Sequence, residues 1–503
     1  MPKLIAKSAC LLFIIISINL SGCKDPFHDG GTAESSARGV QNPLDDIKIF
    51  ADWNKQSDDV ICDAIEANNS LISIGTDFIP RENEKNTQAL DDLENYLLEN
   101  YGDALMIAGR ENRLSILNVE IIDCSVLGEI RDLDNVHFVE PKYLAPIDEE
   151  DIFDSALEMQ ARALANPRDD SDEEDLKEEV NPGFYDPNDF DLSYPEYIRN
   201  INSKSADIME RHNIDKIYEE FGHYGTPNIG VAVIDNGVVA DKMDFLSQGQ
   251  GYFDAIGYYR PFSLDAATSD GPHPRAYDLY GITPLIKSIF EHGTRQSERV
   301  YYVSPHVNLL SVRSSPFVFW FLPTQFQGVT ESILDLAENP DIRIISSSMG
   351  TVIHIHEIER AIDYFNAFDK IFISAAGTSA PLLKDIVKIV FPANLTTTIS
   401  TTGLADTAET GGKFILGEAA HGGPENDFVV DHTDASSESV STSAGMFALV
   451  WSAAPSLTRE QVIDIMIRSS SSYQSKGKKD SVFGWGKIDL YQAFVEARKL
   501  AAE

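Results

Sequence analysis

Val231-Ala232-Val233-Ile234-Asp235-Asn236-Gly237-Val238 is an unbroken apolar run that stops on a carboxylate and a turn glycine. Such a run suits a strand covered on both faces, as in a parallel sheet. In a doubly wound sheet the chemistry sits beyond the carboxyl ends of the strands, so Asp235 is placed to act. Working outward, Ile229 to Ile234, Asn308 to Val312, Ile342 to Ile345 and Lys370 to Ala375 read as strands. Val329 to Glu338, Glu357 to Ala367 and Ser441 to Ala453 read as helices between or after them. Strands alternating with helices predict an α/β fold with a doubly wound, mostly parallel sheet over residues 199–503.

Two further contexts belong with Asp235. Glu291-His292-Gly293-Thr294 precedes the strand at Asn308, and Ser436-Ser437-Glu438-Ser439-Val440-Ser441-Thr442-Ser443-Ala444-Gly445 leads into an apolar helical run. Amide hydrolysis by serine needs a hydroxyl, an imidazole to carry its proton and a carboxylate to orient the imidazole. A serine at a helix start also faces free N–H groups and the positive end of the dipole.

Taken in order, these motifs resemble the subtilisin family of serine proteases over roughly residues 200–497. The resemblance implies a triad of Asp235, His292 and Ser441, the last chosen because Ser441-Thr442-Ser443-Ala444-Gly445 fits the small-residue spacing after the family's nucleophile. Ser437 is the runner-up. Ser348, Met349 and Gly350 resemble the family's substrate-binding strand, and with Ala375, Ala376 and Gly377 they are expected to line the substrate groove. Phe391-Pro392-Ala393-Asn394 and Gly484-Trp485-Gly486-Lys487-Ile488-Asp489 resemble later family turns, and Thr458 to Gln461 has the spacing of a capping box. This chain departs from the family at Thr378, which stands where the oxyanion asparagine is usual. It departs again at Arg295, Ser439-Val440 and Gly445. Thr378 is expected to supply the oxyanion donor from a shorter arm. A catalytically weak, subtilisin-like binding scaffold is the alternative reading. A nucleotide-binding α/β protein fits poorly, because no glycine-rich phosphate loop follows any strand.

Residues 70–147 read as a small domain of order β-α-β-β-α-β, a ferredoxin-like α+β pattern. Its strands are Leu71 to Ile74, Ala104 to Ala108, Leu114 to Ile122 and Val136 to Val139. Asn86-Thr87 reads as the cap of a helix carrying Leu90, Leu93 and Leu97, and Ser125 to Leu133 as the second helix. Its close, Leu133-Asp134-Asn135-Val136-His137-Phe138-Val139-Glu140-Pro141, resembles the end of subtilisin-type propeptides. That resemblance implies a domain that chaperones and inhibits its own protease.

The amino-terminal stretch has Lys3 and Lys7, an apolar run from Ala9 to Leu20, and then Leu20-Ser21-Gly22-Cys23. This is the form of a secretion signal over residues 1–22. Its ending resembles the bacterial lipobox, which implies a lipid on Cys23 and a lipid-anchored protein of the cell envelope, on its periplasmic or surface face. Residues 23–69 read as a polar tether. Cys62 and Cys124 remain in an oxidising setting, where they either pair or stand as two buried thiols. Residues 148–191 carry 17 acidic and three basic side chains, so 148–198 reads as a disordered, self-repelling linker.

The whole chain of 503 residues carries 80 acidic against 40 basic side chains, a net charge of −40. That balance argues against nucleic acid as a partner. The expected partners are a polypeptide substrate, the chain's own propeptide and, through a lipid, a membrane. The chemistry requires no cofactor. Structural calcium, which the family often carries, has no loop here to which it is assigned, and the histidines outside the triad form no metal-ligand set by spacing. The apolar segment Pro316 to Leu322 reads as core or as a face for the propeptide.

Overall fold

The computed structural model describes residues 52–66, 71–142, 203–238, 253–257, 291–315, 318, 320, 323–379 and 388–502. The signal segment, Cys23 and the acidic linker lie outside these residues.

A 3-10 turn at Trp53–Lys55 and helix α1 (Asp58–Glu66) come first. The polar tether is therefore shorter than its composition implies. Trp53, Ile61 and Ile65 are buried in the core of the small domain, and a disulfide with Cα atoms 6.0 Å apart ties Cys62 to Cys124. The small domain continues with β1 (Leu71–Gly75), α2 (Asn83–Tyr101), β2 (Leu105–Glu111), β3 (Ile116–Ile121), α3 (Leu127–Arg131) and β4 (Phe138–Pro141). Its antiparallel sheet has the order β2-β3-β1-β4. Leu90, Leu93 and Leu97 line the buried stripe of α2, as their spacing predicts. Asn86 is not the cap. It sits inside the helix, where its side-chain amide pairs with both backbone groups of Ile79.

The larger domain runs through α4 (Ser203–Arg211), α5 (Ile214–Phe221), β5 (Gly230–Asp235), β6 (Phe253–Gly257), α6 (His292–Val303) and β7 (Asn308–Arg313). It goes on through α7 (Pro323–Glu338), β8 (Ile342–Ser347), α8 (His356–Asn366), β9 (Ile371–Ala375), β10 (Ile399–Gly403) and β11 (Phe428–Val430). Helices α9 (Ser436–Ala453), α10 (Arg459–Arg468), α11 (Ser471–Lys476) and α12 (Leu490–Ala502) close it. The seven strands form one sheet, β11-β10-β9-β8-β5-β7-β6, and every pair is parallel. Thr458 caps α10 in the expected capping box.

Strand β5 is buried along its whole length, and its alternation divides the core. Val231 and Val233 point into the layer of α9, α10 and α12, while Ala232 and Ile234 point into the layer of α7 and α8. The chain order reverses next to β5, with β6 and β7 on one side and β8 to β11 on the other. That reversal opens a crevice at the carboxyl ends of β5 and β8.

The small sheet packs on α7 and α8. Leu114, Ile116 and Phe138 join the same apolar cluster as Ile333, Ile358 and Ile362. Both Glu140 carboxylate oxygens accept backbone N–H groups at the start of α8, from His356 (3.1 Å) and Glu357 (3.2 Å). A carboxylate there satisfies orphan donors and meets the positive end of the helix dipole. Arg360, one turn on, donates to the carbonyls of Leu114, Ser115 and Thr76 at 2.8, 2.9 and 2.7 Å, and its guanidinium lies over the Phe138 ring. Burial pulls its pKa down to about 10, against nearby acids that raise it.

Arg360 thus holds three small-domain carbonyls from the larger domain. Arg360→Met is expected to weaken the docking by about 3 kcal/mol, the scale for breaking a buried charged network. Amide exchange in β1 and β4 should then quicken by about a hundredfold. Unchanged exchange in these strands would show that Arg360 does not hold the two domains together.

Candidate functional site

Asp235 ends β5 with no exposed surface, and a buried carboxylate must find donors. It receives the Asn236 backbone N–H at 2.8 Å, and its two oxygens lie 3.0 and 2.9 Å from His292 Nδ1. His292 opens α6, with Glu291 before it as the cap residue. The side chain of Asn236 accepts the N–H of Gly293 at 2.9 Å, which ties the helix start to the strand end. Gly293 has no room for a side chain: a Cβ there would lie 2.5 Å from the carbonyl oxygen of Gly237. The His-Gly pair is therefore a packing requirement as well as a chemical one. It holds the imidazole against the carboxylate with Nδ1 inward and Nε2 outward.

The structure does not bring Ser441 to this imidazole. Helix α9 begins at Ser436, five residues earlier than the apolar pattern predicts, so Ser441 lies more than a turn inside it. Its side chain is fully buried, and its hydroxyl donates to Gln296 Oε1 at 2.8 Å. The Gln296 amide in turn stands 3.3 Å from His292 Nε2, between the serine and the base. Ser441 is a buried interhelical contact.

Ser437, the runner-up of the sequence reading, stands one turn earlier on the same helix. It lies in the first turn of α9 and is half-buried. Helices α6 and α9 run side by side in one register. Ser441 pairs with Gln296 at a sequence offset of 145, and Gly445, one turn on, packs against Val303 and the carbonyl of Val300. Carried one turn back on both helices, the offset of 145 pairs the position of Ser437 with that of His292. The serine-rich sequence hid this, because it carries no apolar period from which to read the helix start.

Other expected site residues divide. Thr378 reaches the start of α9: its hydroxyl is 2.9 Å from the Ser436 hydroxyl, which also accepts the N–H of Gly377. Ser348 is there too, donating to the Ser437 carbonyl at 3.3 Å. Gly377 adopts φ +128°, and a Cβ on it would collide with the His421 ring, so glycine is required. Met349, Ala375 and Ala376 are buried and do not present side chains to a substrate. Gly350 does not offer a free strand edge either. Its N–H donates to the Val318 carbonyl at 3.3 Å, and its carbonyl accepts the Trp320 N–H at 3.0 Å. Trp320 itself is buried in the α7–α8 core.

Glu438, which sequence reading passed over, follows Ser437 directly. Its carboxylate contacts the Arg299 guanidinium and lies 3.1 Å from Lys204 Nζ. Burial alone would raise its pKa, but the Arg299 and Lys204 cations outweigh burial and hold it at about 2. The pair pins the first turn of α9 to α6.

A family model described as the subtilase family matches residues 226–486. Among solved structures, the chain is similar to the epidermin leader peptide processing serine protease of Staphylococcus aureus. Identity there is 14%, over 86% of this chain and 99% of that one, with a TM-score of 0.52. It is also similar to fervidolysin from Fervidobacterium pennivorans, a keratinolytic enzyme related to subtilisin. There identity is 14%, over 85% of this chain and 61% of that one, with a TM-score of 0.51. Likeness at this level of identity is likeness of fold. Among curated proteins no sequence matches.

The depressed pKa of Glu438 makes a pH-dependent contribution to stability. A folded-state value below the ordinary 4.5 favours the ionised form, so the stabilisation is complete above about 4.5 and is lost as pH falls towards about 2. Glu438→Gln should therefore lower the urea midpoint at pH 7, and the gap from wild type should close between pH 4.5 and 2. A gap of equal size at pH 2.5 would mean that the charge on Glu438 is not its source.

Proposed function

This chain belongs to the subtilase family of serine proteases, and on that premise we propose that it is an exported endopeptidase with Ser437 as nucleophile, His292 as base and Asp235 as orienting carboxylate. The observation that carries the reading is the Asp235–His292 bond, together with the helix register that sets Ser437 opposite the imidazole. Ser437 Oγ attacks the peptide carbonyl carbon, and His292 Nε2 accepts its proton. Asp235 keeps the other proton on Nδ1 and stabilises the imidazolium. The oxyanion forms near the Ser437 N–H and the Thr378 hydroxyl. Collapse of the intermediate sends the proton from His292 to the leaving amine, and water then cleaves the acyl-enzyme by the same steps in reverse.

A binding scaffold without turnover is the second reading. In its favour are the short arm of Thr378 and the Gln296 amide beside the base nitrogen. A fluorophosphonate probe separates the two, because it reacts only with an activated serine.

The small domain acts, in this proposal, as a propeptide. Support comes from Glu140 and Arg360, which dock it on α8, and from its position just before the protease in the chain. A lipid on Cys23 would hold the precursor at the envelope membrane. No helix among the described residues is long and apolar enough to cross one. Cleavage between Pro141 and about Ile198 would leave the lipid with the propeptide and free the catalytic domain from its covalent tether.

The probe should label Ser437, and Ser437→Ala should abolish labelling while Ser441→Ala keeps it. In the same assay Thr378→Val should cut turnover, towards the roughly 10²–10³ that loss of one oxyanion donor costs, with KM little changed. Labelling that survives Ser437→Ala but not Ser441→Ala would reverse the nucleophile assignment. Fractionation of producing cells tests the anchoring: wild type should release a soluble fragment of about 300 residues, and Ser437→Ala should remain a full-length membrane protein. An uncut wild-type chain that stays membrane-bound and active would rule out release by self-cleavage.

A further inference from the structure

Between β8 and α8 the chain reads His354-Ile355-His356-Glu357-Ile358-Glu359. By spacing alone these histidines form no ligand set, but the structure brings two of them together with a carboxylate. Ile355 is extended, with φ −119° and ψ 105°, and is buried. Residues two apart on extended backbone project to the same side, so both imidazoles lie together, His356 on the Phe138 ring and His354 beside Phe391. Helix α8 then starts at His356, and its first turn carries Glu359 back to the pair. The two rings have centroids 4.4 Å apart, and His354 Nε2 lies 2.8 Å from Glu359 Oε2. One ligand atom from each of the three residues lies within 4.8 Å of the others.

We propose that His354, His356 and Glu359 bind a divalent transition-metal ion of the zinc class. Two imidazoles and a carboxylate are a zinc donor set, and the hard cations calcium and magnesium prefer all-oxygen ligands. A tetrahedral zinc about 2.0–2.1 Å from each ligand sets the ligand atoms about 3.4 Å apart. The observed ligand atoms, all within 4.8 Å of one another, lie near that spacing, so side-chain rotations suffice to close the site. The three side chains are 23, 16 and 34% exposed, which leaves a path for the ion and a fourth position for water.

An outer shell is already built. His356 Nδ1 lies 3.1 Å from Glu140 Oε2, the small-domain carboxylate that caps α8. A carboxylate on one ring nitrogen fixes the tautomer and directs the other nitrogen to a metal. Asn54 Nδ2, 3.3 Å from His356 Nε2, gives up that contact when the ion binds. The site therefore lies on the seam between the two domains. By linkage, an ion that prefers the Glu140-oriented imidazole strengthens docking as much as docking strengthens it.

The test is titration of the full-length chain carrying Ser437→Ala with Co²⁺, read by visible absorption, and with Zn²⁺, read by calorimetry. The expected result is one equivalent of Co²⁺ giving the strong d–d bands of a low-coordinate site, displaced by Zn²⁺. His354→Ala and Glu359→Gln should each weaken binding at least a hundredfold with an unchanged circular dichroism spectrum. Glu140→Gln should weaken it by about 10–100-fold, as loss of an outer-shell partner does. His292→Ala controls for metal on the triad imidazole and should leave the stoichiometry at one. The proposal is overturned if no saturable band or heat appears, or if His292→Ala removes the binding and His354→Ala does not.

Discussion

A carboxylate buried at the end of a buried strand organises this protein. Asp235 has no exposed surface, and the cost of burying its polar side chain is offset by the donors folded around it. Supplying them requires the turn at Asn236-Gly237, the start of α6 and the glycine that lets helix and strand meet. Once His292 is held in this way, the direction of α6 is set. Helix α9 packs against it, and its Ser441 bonds Gln296, whose amide stands beside the outward nitrogen.

The two domains use the same principle in a second place. The amino-terminal end of α8 presents free N–H groups, and the small domain brings Glu140 to them. Arg360 returns the exchange by feeding three small-domain carbonyls. Such contacts are directional, and the apolar contact of Leu114, Ile116 and Phe138 supplies the burial that makes them strong. Docking on α8 also fixes the His356 ring, so one carboxylate serves as helix cap, interdomain contact and ring anchor at once.

The sheet-covered fold was legible because its strands are short apolar runs and its helices keep a regular stripe. Strand β5 reads correctly to within a residue, and the small domain's order of elements reads correctly throughout. Local chemistry misled in two ways. Asn86 looked like a cap and is an interior bracket for Ile79, since its amide found backbone groups from a neighbouring turn. Trp53 and Ile61 were hidden in polar surroundings, and their partners lie across the disulfide and the small sheet.

By itself, the sequence determined the α/β class, the strand that ends in Asp235, the His-Gly pair and the serine-rich stretch that leads into α9. These depend on local pattern, and burial periodicity writes them directly into residue order. It could not determine which serines of Ser436 to Ser443 are buried, because a run of small hydroxyl residues has no amphipathic phase. That was decided by α9 packing on α6, where a Gln296–Ser441 bond buries one serine while Ser437, a turn earlier, is half-buried. Only tertiary structure likewise joined His354, His356 and Glu359, since an extended pair and a helical turn must meet before the three side chains come together.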